Sequence, residues 1–160
     1  RTKTYAGSGG KVAPVLAGSK QLEFKEEKWL YRDIYYNGKG IFMGLEAVYF
    51  NDKAIWSMSY FGDYKGMTEK EVDKILRGAL LANWDTTRIW KSVEWEKDGY
   101  KYSCCPDFEG SIEKMAGTEK IVKNKKQIYH FFYAGGIWPI GFISAWMKIS
   151  LLGGLGDYLS

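Results

Sequence analysis

Histidine is nearly missing from this sequence: His130 is the only one in 160 residues. A site built from several imidazoles is excluded, and with it the commonest zinc centres. Cysteine is almost as scarce. Cys104 and Cys105 are adjacent, without the CxxC spacing of zinc or thiol-redox sites. A disulfide between chain neighbours is strained, so both read as inert thiols in a reducing compartment. A phosphate loop is missing as well. Gly7-Ser8-Gly9-Gly10-Lys11 is followed by Val12 where Ser or Thr would bind Mg²⁺, and no glycine stands five residues before Gly10. Residues 1–20 read instead as a turn-rich lead-in. No secretory signal is seen. The chain opens at Arg1 rather than methionine, so further residues are expected upstream, and the cytoplasm is the expected compartment. The net charge is only +4, short of the clustered basic stripe of a nucleic-acid binder, so no direct nucleic-acid contact is expected.

Long apolar runs are also wanting. The tail, residues 137–160, holds Ile137-Trp138-Pro139-Ile140-Gly141-Phe142-Ile143 and Ala145-Trp146-Met147. Pro139, Gly141 and Lys148 interrupt it, and it falls short of the ~20 residues that span a bilayer. A membrane is not an expected partner. The tail is expected to pack on its own domain or on a second copy, giving a homodimer.

What the sequence does have is aromatic residues, 17% of the chain, grouped in strand-like runs. Strands are expected near 21–25, 29–36, 41–50 and 54–61, with hairpin signals at Asn37-Gly38 and Asn51-Asp52. Four more are expected near 89–96, 100–105, 117–123 and 127–134, with Asp98-Gly99 as a turn. Between the two sets the spacing predicts a helix over 68–83. Thr68 and Glu71 form a capping box, and Val72, Ile75, Leu76, Ala79 and Leu80 recur as one apolar stripe. Glu69, Lys70 and Lys74 then face water.

Shifted by 73 residues, the halves align. Gly44, Glu46, Asn51, Lys53, Ile55, Tyr60 and Gly62 fall on Gly117, Glu119, Asn124, Lys126, Ile128, Tyr133 and Gly135, identical at seven of nineteen positions. An internal repeat follows from this reading. The expected architecture is one α+β domain over residues 1–160. It holds two repeated antiparallel β-meander units, 21–62 and 89–135, linked by the amphipathic helix.

If the hairpin after residue 36 is simple, Tyr36 pairs with Ile41. Asp33 then lies opposite Gly44, Tyr31 lies opposite Glu46, and Tyr31, Asp33, Tyr35, Phe42, Gly44 and Glu46 share a face. Trp56, Met58 and Tyr60 join that face after a three-residue loop at 51–53, or its reverse after a two-residue loop. Two readings stay open. The face is a sheet core whose carboxylates bond tyrosine hydroxyls or backbone amides, or it lines a ligand site. His130 reads as a surface strand residue. Neither a nucleophile nor a metal-ligand set accompanies the carboxylates, so no catalytic residue and no cofactor is assigned.

The pattern Thr4-Tyr5-Ala6-Gly7, Tyr31-x-Asp33-x-Tyr35, Gly44-x-Glu46, Lys53, Trp56-x-Met58-x-Tyr60 and Gly62 resembles the bacterial family of domain of unknown function 5680, over roughly residues 4–136. Members of that family often follow a phage-repressor-type helix-turn-helix. The resemblance implies no activity, and implies an effector-binding role where such a helix-turn-helix is attached. The expected function is a ligand-sensing or protein-interaction domain of a bacterial regulatory system. Its candidate small-molecule site is Tyr31, Asp33, Tyr35, Glu46, Trp56 and Tyr60. The alternatives are an enzyme of unknown chemistry using Asp33 and Glu46, and a stand-alone protein that sequesters a small signal molecule.

Overall fold

Hairpin turns set the geometry of this chain. The computed structural model describes residues 10–87 and 90–138. Its strands are β1 (Gly10–Val12), β2 (Lys20–Glu26), β3 (Trp29–Gly38), β4 (Ile41–Phe50) and β5 (Lys53–Asp63), then helix α1 (Glu69–Ala82). After the helix come β6 (Val93–Lys97), β7 (Tyr100–Pro106), β8 (Met115–Lys123) and β9 (Lys126–Ile137). Four two-residue turns, Lys39-Gly40, Asn51-Asp52, Asp98-Gly99 and Asn124-Lys125, hold both residues at positive φ. That is the mirror-image turn whose twist matches paired strands. The first hairpin turns at 39–40, not at Asn37-Gly38, because Gly38 still pairs with Ile41. The expected register therefore slides by two residues. Asp33 faces Glu46, Tyr35 faces Gly44 and Tyr31 faces Val48. A slide of two leaves every side chain on its expected face.

The next hairpin resolves which face Trp56, Met58 and Tyr60 occupy. Its loop has two residues, since Phe50 pairs with Lys53, which alone would turn those side chains to the reverse face. A bulge then intervenes: Tyr49 pairs with Ala54 but Val48 pairs with Trp56, so Ile55 is the extra residue. One extra residue inverts the alternation. Trp56, Met58 and Tyr60 thus rejoin the face of Glu46. The β8–β9 hairpin has the same construction, with its register shift between Ile121 and Val122.

The expected α+β fold of two repeated meander units joined by a helix is incorrect. The strands form one antiparallel sheet of nine, in the order β1-β2-β3-β4-β5-β9-β8-β7-β6, with a single α-helix among the described residues. This is a mostly-β fold. Each four-strand meander would end on an edge of unpaired amides and carbonyls. β5 and β9 instead pair along Trp56–Asp63 and His130–Ile137 and close both edges into one ladder.

α1 lies on the inner face of this sheet rather than between two units. Thr68 Oγ1 accepts from the Glu71 amide at 3.3 Å, and a Glu71 carboxylate oxygen accepts from the Thr68 amide at 2.9 Å. The Asn83 side chain donates to the Ala79 carbonyl at the other end. The stripe Val72, Ile75, Leu76, Ala79 and Leu80 is buried with Tyr102, Ile121, Tyr129 and Phe131. Fourteen residues make a helix of about 21 Å, whereas nine strands extend about 38 Å across. One helix cannot cover the sheet. It packs on the β6–β7 side and leaves the β2–β5 half without a helical cover.

Alternation separates the cysteines, with Cys104 buried inside and Cys105 exposed, both as free thiols. On the outer face Tyr36, Met43, Leu45, Phe61 and Phe132 are exposed. Trp138 follows β9 and ties back to β5, its amide donating to the Ile55 carbonyl and its indole to Ser57 Oγ at 2.8 Å. The rest of the tail, and with it the expected tail-mediated homodimer, lies outside the described residues. Among those residues no helix is long and apolar enough to cross a membrane. Leu76 is only 4% exposed, so Leu76→Ala is expected to lower unfolding stability by about 2–5 kcal/mol. Urea denaturation checks this, and an unchanged midpoint would contradict the helix placement.

Candidate functional site

Where the helix stops covering the sheet, a cleft of about 610 Å³ opens. Its floor comes from alternating inner-face positions: Leu22 of β2, Asp33, Tyr35 and Asn37 of β3, Phe42 and Glu46 of β4, and Tyr60 of β5. The opposite wall is one side of α1, where Glu69, Val72, Asp73, Leu76 and Arg77 recur at helical spacing. Tyr129 and Phe131 close the inner end. Phe42 stacks on both, with ring centroids 5.8 and 6.0 Å away.

Asp33 is the most buried of the floor carboxylates, at 2% exposure. Tyr60 donates its hydroxyl to Asp33 Oδ1 at 2.7 Å. Burial, the negative charges of Asp33 and Glu46 and this hydrogen bond together push the Tyr60 phenol far above its ordinary range. Tyr60 therefore holds its proton. Tyr35 is raised in the same direction, first by burial and then by Asp33 and Asp73, with Arg77 opposing. At the mouth Tyr64 donates to Asn37 Oδ1 at 2.7 Å and lies 3.1 Å from Glu69 Oε1. That network pins the helix start to the end of β3. Glu69 is exposed, as expected, but is also bonded.

Gly44 does not leave room for a ligand opposite Asp33, as the simple register suggested. It pairs with Tyr35 and Tyr60. A Cβ there would collide with the Tyr60 hydroxyl and come within 2.6 Å of the Ile34 carbonyl oxygen. The glycine lets the Tyr60 ring lie flat across β4 toward Asp33.

Of the six candidate residues, Asp33, Tyr35, Glu46 and Tyr60 line this cleft, whereas Tyr31 and Trp56 do not. Trp56 shares the face but turns its indole N–H to Met115 Sδ at 3.3 Å. Tyr31 pairs with Phe24 and Val48, beyond the cleft end. Sequence reasoning missed Lys11, Lys20, Tyr64, Asp73 and Arg77, which also line it. Glu69, Asp73 and Arg77 recur every four residues beside the apolar stripe, a legible signal of a second helix face. His130 lies on the outer face, its ring 4.0 Å from Phe132, with burial lowering its pKa. Among the described residues no three His, Cys, Asp or Glu side chains gather as a metal-ligand set.

Fold and site together define a single-sheet β domain with an acidic, aromatic cleft beside one helix. The chain belongs to the family described as Domain of unknown function (DUF5680), whose model matches residues 33–138. That span starts at Asp33, later than the expected resemblance from residue 4, and leaves β1 and β2 outside. Comparisons with curated proteins and with solved structures found no match.

Tyr60→Phe removes one donor from a buried carboxylate and is expected to cost about 1–3 kcal/mol of stability. Gly44→Ala should also destabilise, by displacing the same phenol. Thermal or urea unfolding measures both, and a neutral Gly44→Ala would show that Tyr60 does not lie across β4.

Proposed function

We propose that this cleft binds a compact organic cation, and that the domain acts as a ligand-sensing module. One observation carries the reading: Asp33 and Glu46 are direct cross-strand partners on the cleft floor. Like charges opposite each other on one face repel, and a bound cation reverses that repulsion. Tyr35, Phe42 and Tyr60 supply the ring faces and hydroxyls that hold an ammonium-bearing ring by stacking and cation–π attraction. The cleft volume lies in the range of small-molecule sites.

Binding is favoured over catalysis by Tyr60. A catalytic acid or base has a pKa near the working pH, whereas the Tyr60 phenol is driven the other way. A regulatory setting, with the cleft reporting a metabolite to an attached helix-turn-helix, fits this reading and rests on the family resemblance.

Calorimetric titration with tyramine tests it. Glu46→Gln keeps shape and removes charge, and is expected to weaken tyramine about tenfold to a hundredfold while the unfolding midpoint holds. Tyramine that fails to bind, or binds Glu46→Gln equally well, would overturn the proposal.

A further inference from the structure

The cleft floor carries one sign of charge, but its outer edge carries the other. Cross-strand register aligns two rows of side chains on the inner face. One runs Lys11, Leu22, Asp33, Glu46 from β1 to β4, and the other runs Lys20, Tyr35, Gly44, Tyr60 from β2 to β5. Lys11 and Lys20 both line the cleft, at its β1–β2 edge. Arg77 faces the same space from α1 and is paired to Asp73 at 3.4 Å. Leu22, buried, stands in the first row between Lys11 and Asp33. With neighbouring strands ~4.8 Å apart, Lys11 is roughly 10 Å from Asp33 across the sheet. That exceeds the reach of an ion pair, so Lys11 does not neutralise Asp33. The cleft keeps two separated poles.

We infer that the ligand is a zwitterion whose ammonium lies at Asp33 and Glu46 and whose phosphate or carboxylate lies at Lys11 and Lys20. A ring between the two poles would lie along Tyr35 and Tyr60. This rests on the cation-binding reading of the same cleft and adds the second pole. The required spacer is roughly two strand spacings, about 10 Å, which a para-substituted ring matches and a short α-amino acid does not. Lysine ammoniums at a partly enclosed edge act on an anion as point charges, and the apolar wall of Leu22 strengthens their field.

The test compares tyramine with O-phosphotyramine, which carries the same amine and ring and adds a phosphate at the far end. Binding to the whole chain is measured by calorimetry at fixed ionic strength. Wild type is expected to bind O-phosphotyramine at least about tenfold more tightly than tyramine. In Lys11→Gln/Lys20→Gln that preference should vanish or invert. The two single variants replace the double one if its thermal transition broadens. If tyramine binds and O-phosphotyramine binds no better, the second pole is refuted and the cation site stands. A preference that survives in the double variant also refutes it, because the phosphate then contacts something else. If neither compound binds, both readings fall together.

Discussion

The pairing of β5 with β9 is the constraint on which the rest of this structure depends. Without it, two small meanders would each present a long strand edge, with backbone groups needing partners. With it, eight strands and the short β1 become one sheet, wider than any single helix of this length can cover. The cleft is the direct result. α1 packs on the β6–β7 side, and the face of β2–β5 that it leaves carries the acidic and aromatic floor. Stability and binding surface thus come from one arrangement, with the buried stripe of α1 and the lining residues Val72 and Leu76 shared between them.

Within that sheet a single extra residue decides the chemistry. The Asn51-Asp52 turn would by itself place Trp56, Met58 and Tyr60 on the outer face. The bulge at Ile55 turns them inward, where the Tyr60 hydroxyl meets Asp33. Gly44 then matters for what lies over it rather than for what enters it. Small backbone features, one bulge and one missing Cβ, fix the side chain that holds the buried carboxylate.

Much of the strand and helix pattern was legible. Alternation, the Asp98-Gly99 turn and the Thr68–Glu71 box carry local physics that tertiary contacts did not override. The joining of the halves was not legible. β5–β9 pairing connects segments some seventy residues apart, and nothing in either strand's own sequence distinguishes an edge from an interior strand. The first hairpin was misplaced because Asn37-Gly38 is a strong turn signal, yet Lys39-Gly40 also tolerates positive φ and lengthens the ladder. Four of the six site residues were found because strand alternation survives a two-residue slide. Tyr31 and Trp56 share the face, but sequence spacing does not reveal where along a strand the helix cover ends. Lys11 and Lys20 were passed over because residues 1–20 read as a lead-in, whereas β1 and β2 extend the sheet there.

The central claim is that the inner-face cleft, and not the apolar outer face, is where a small cation binds. Intermolecular nuclear Overhauser effects from the ring protons of tyramine report this directly. The account expects contacts to Phe42 and Tyr60 on the inner face. Contacts to Met43, Phe61 and Phe132 of the exposed outer face would contradict it.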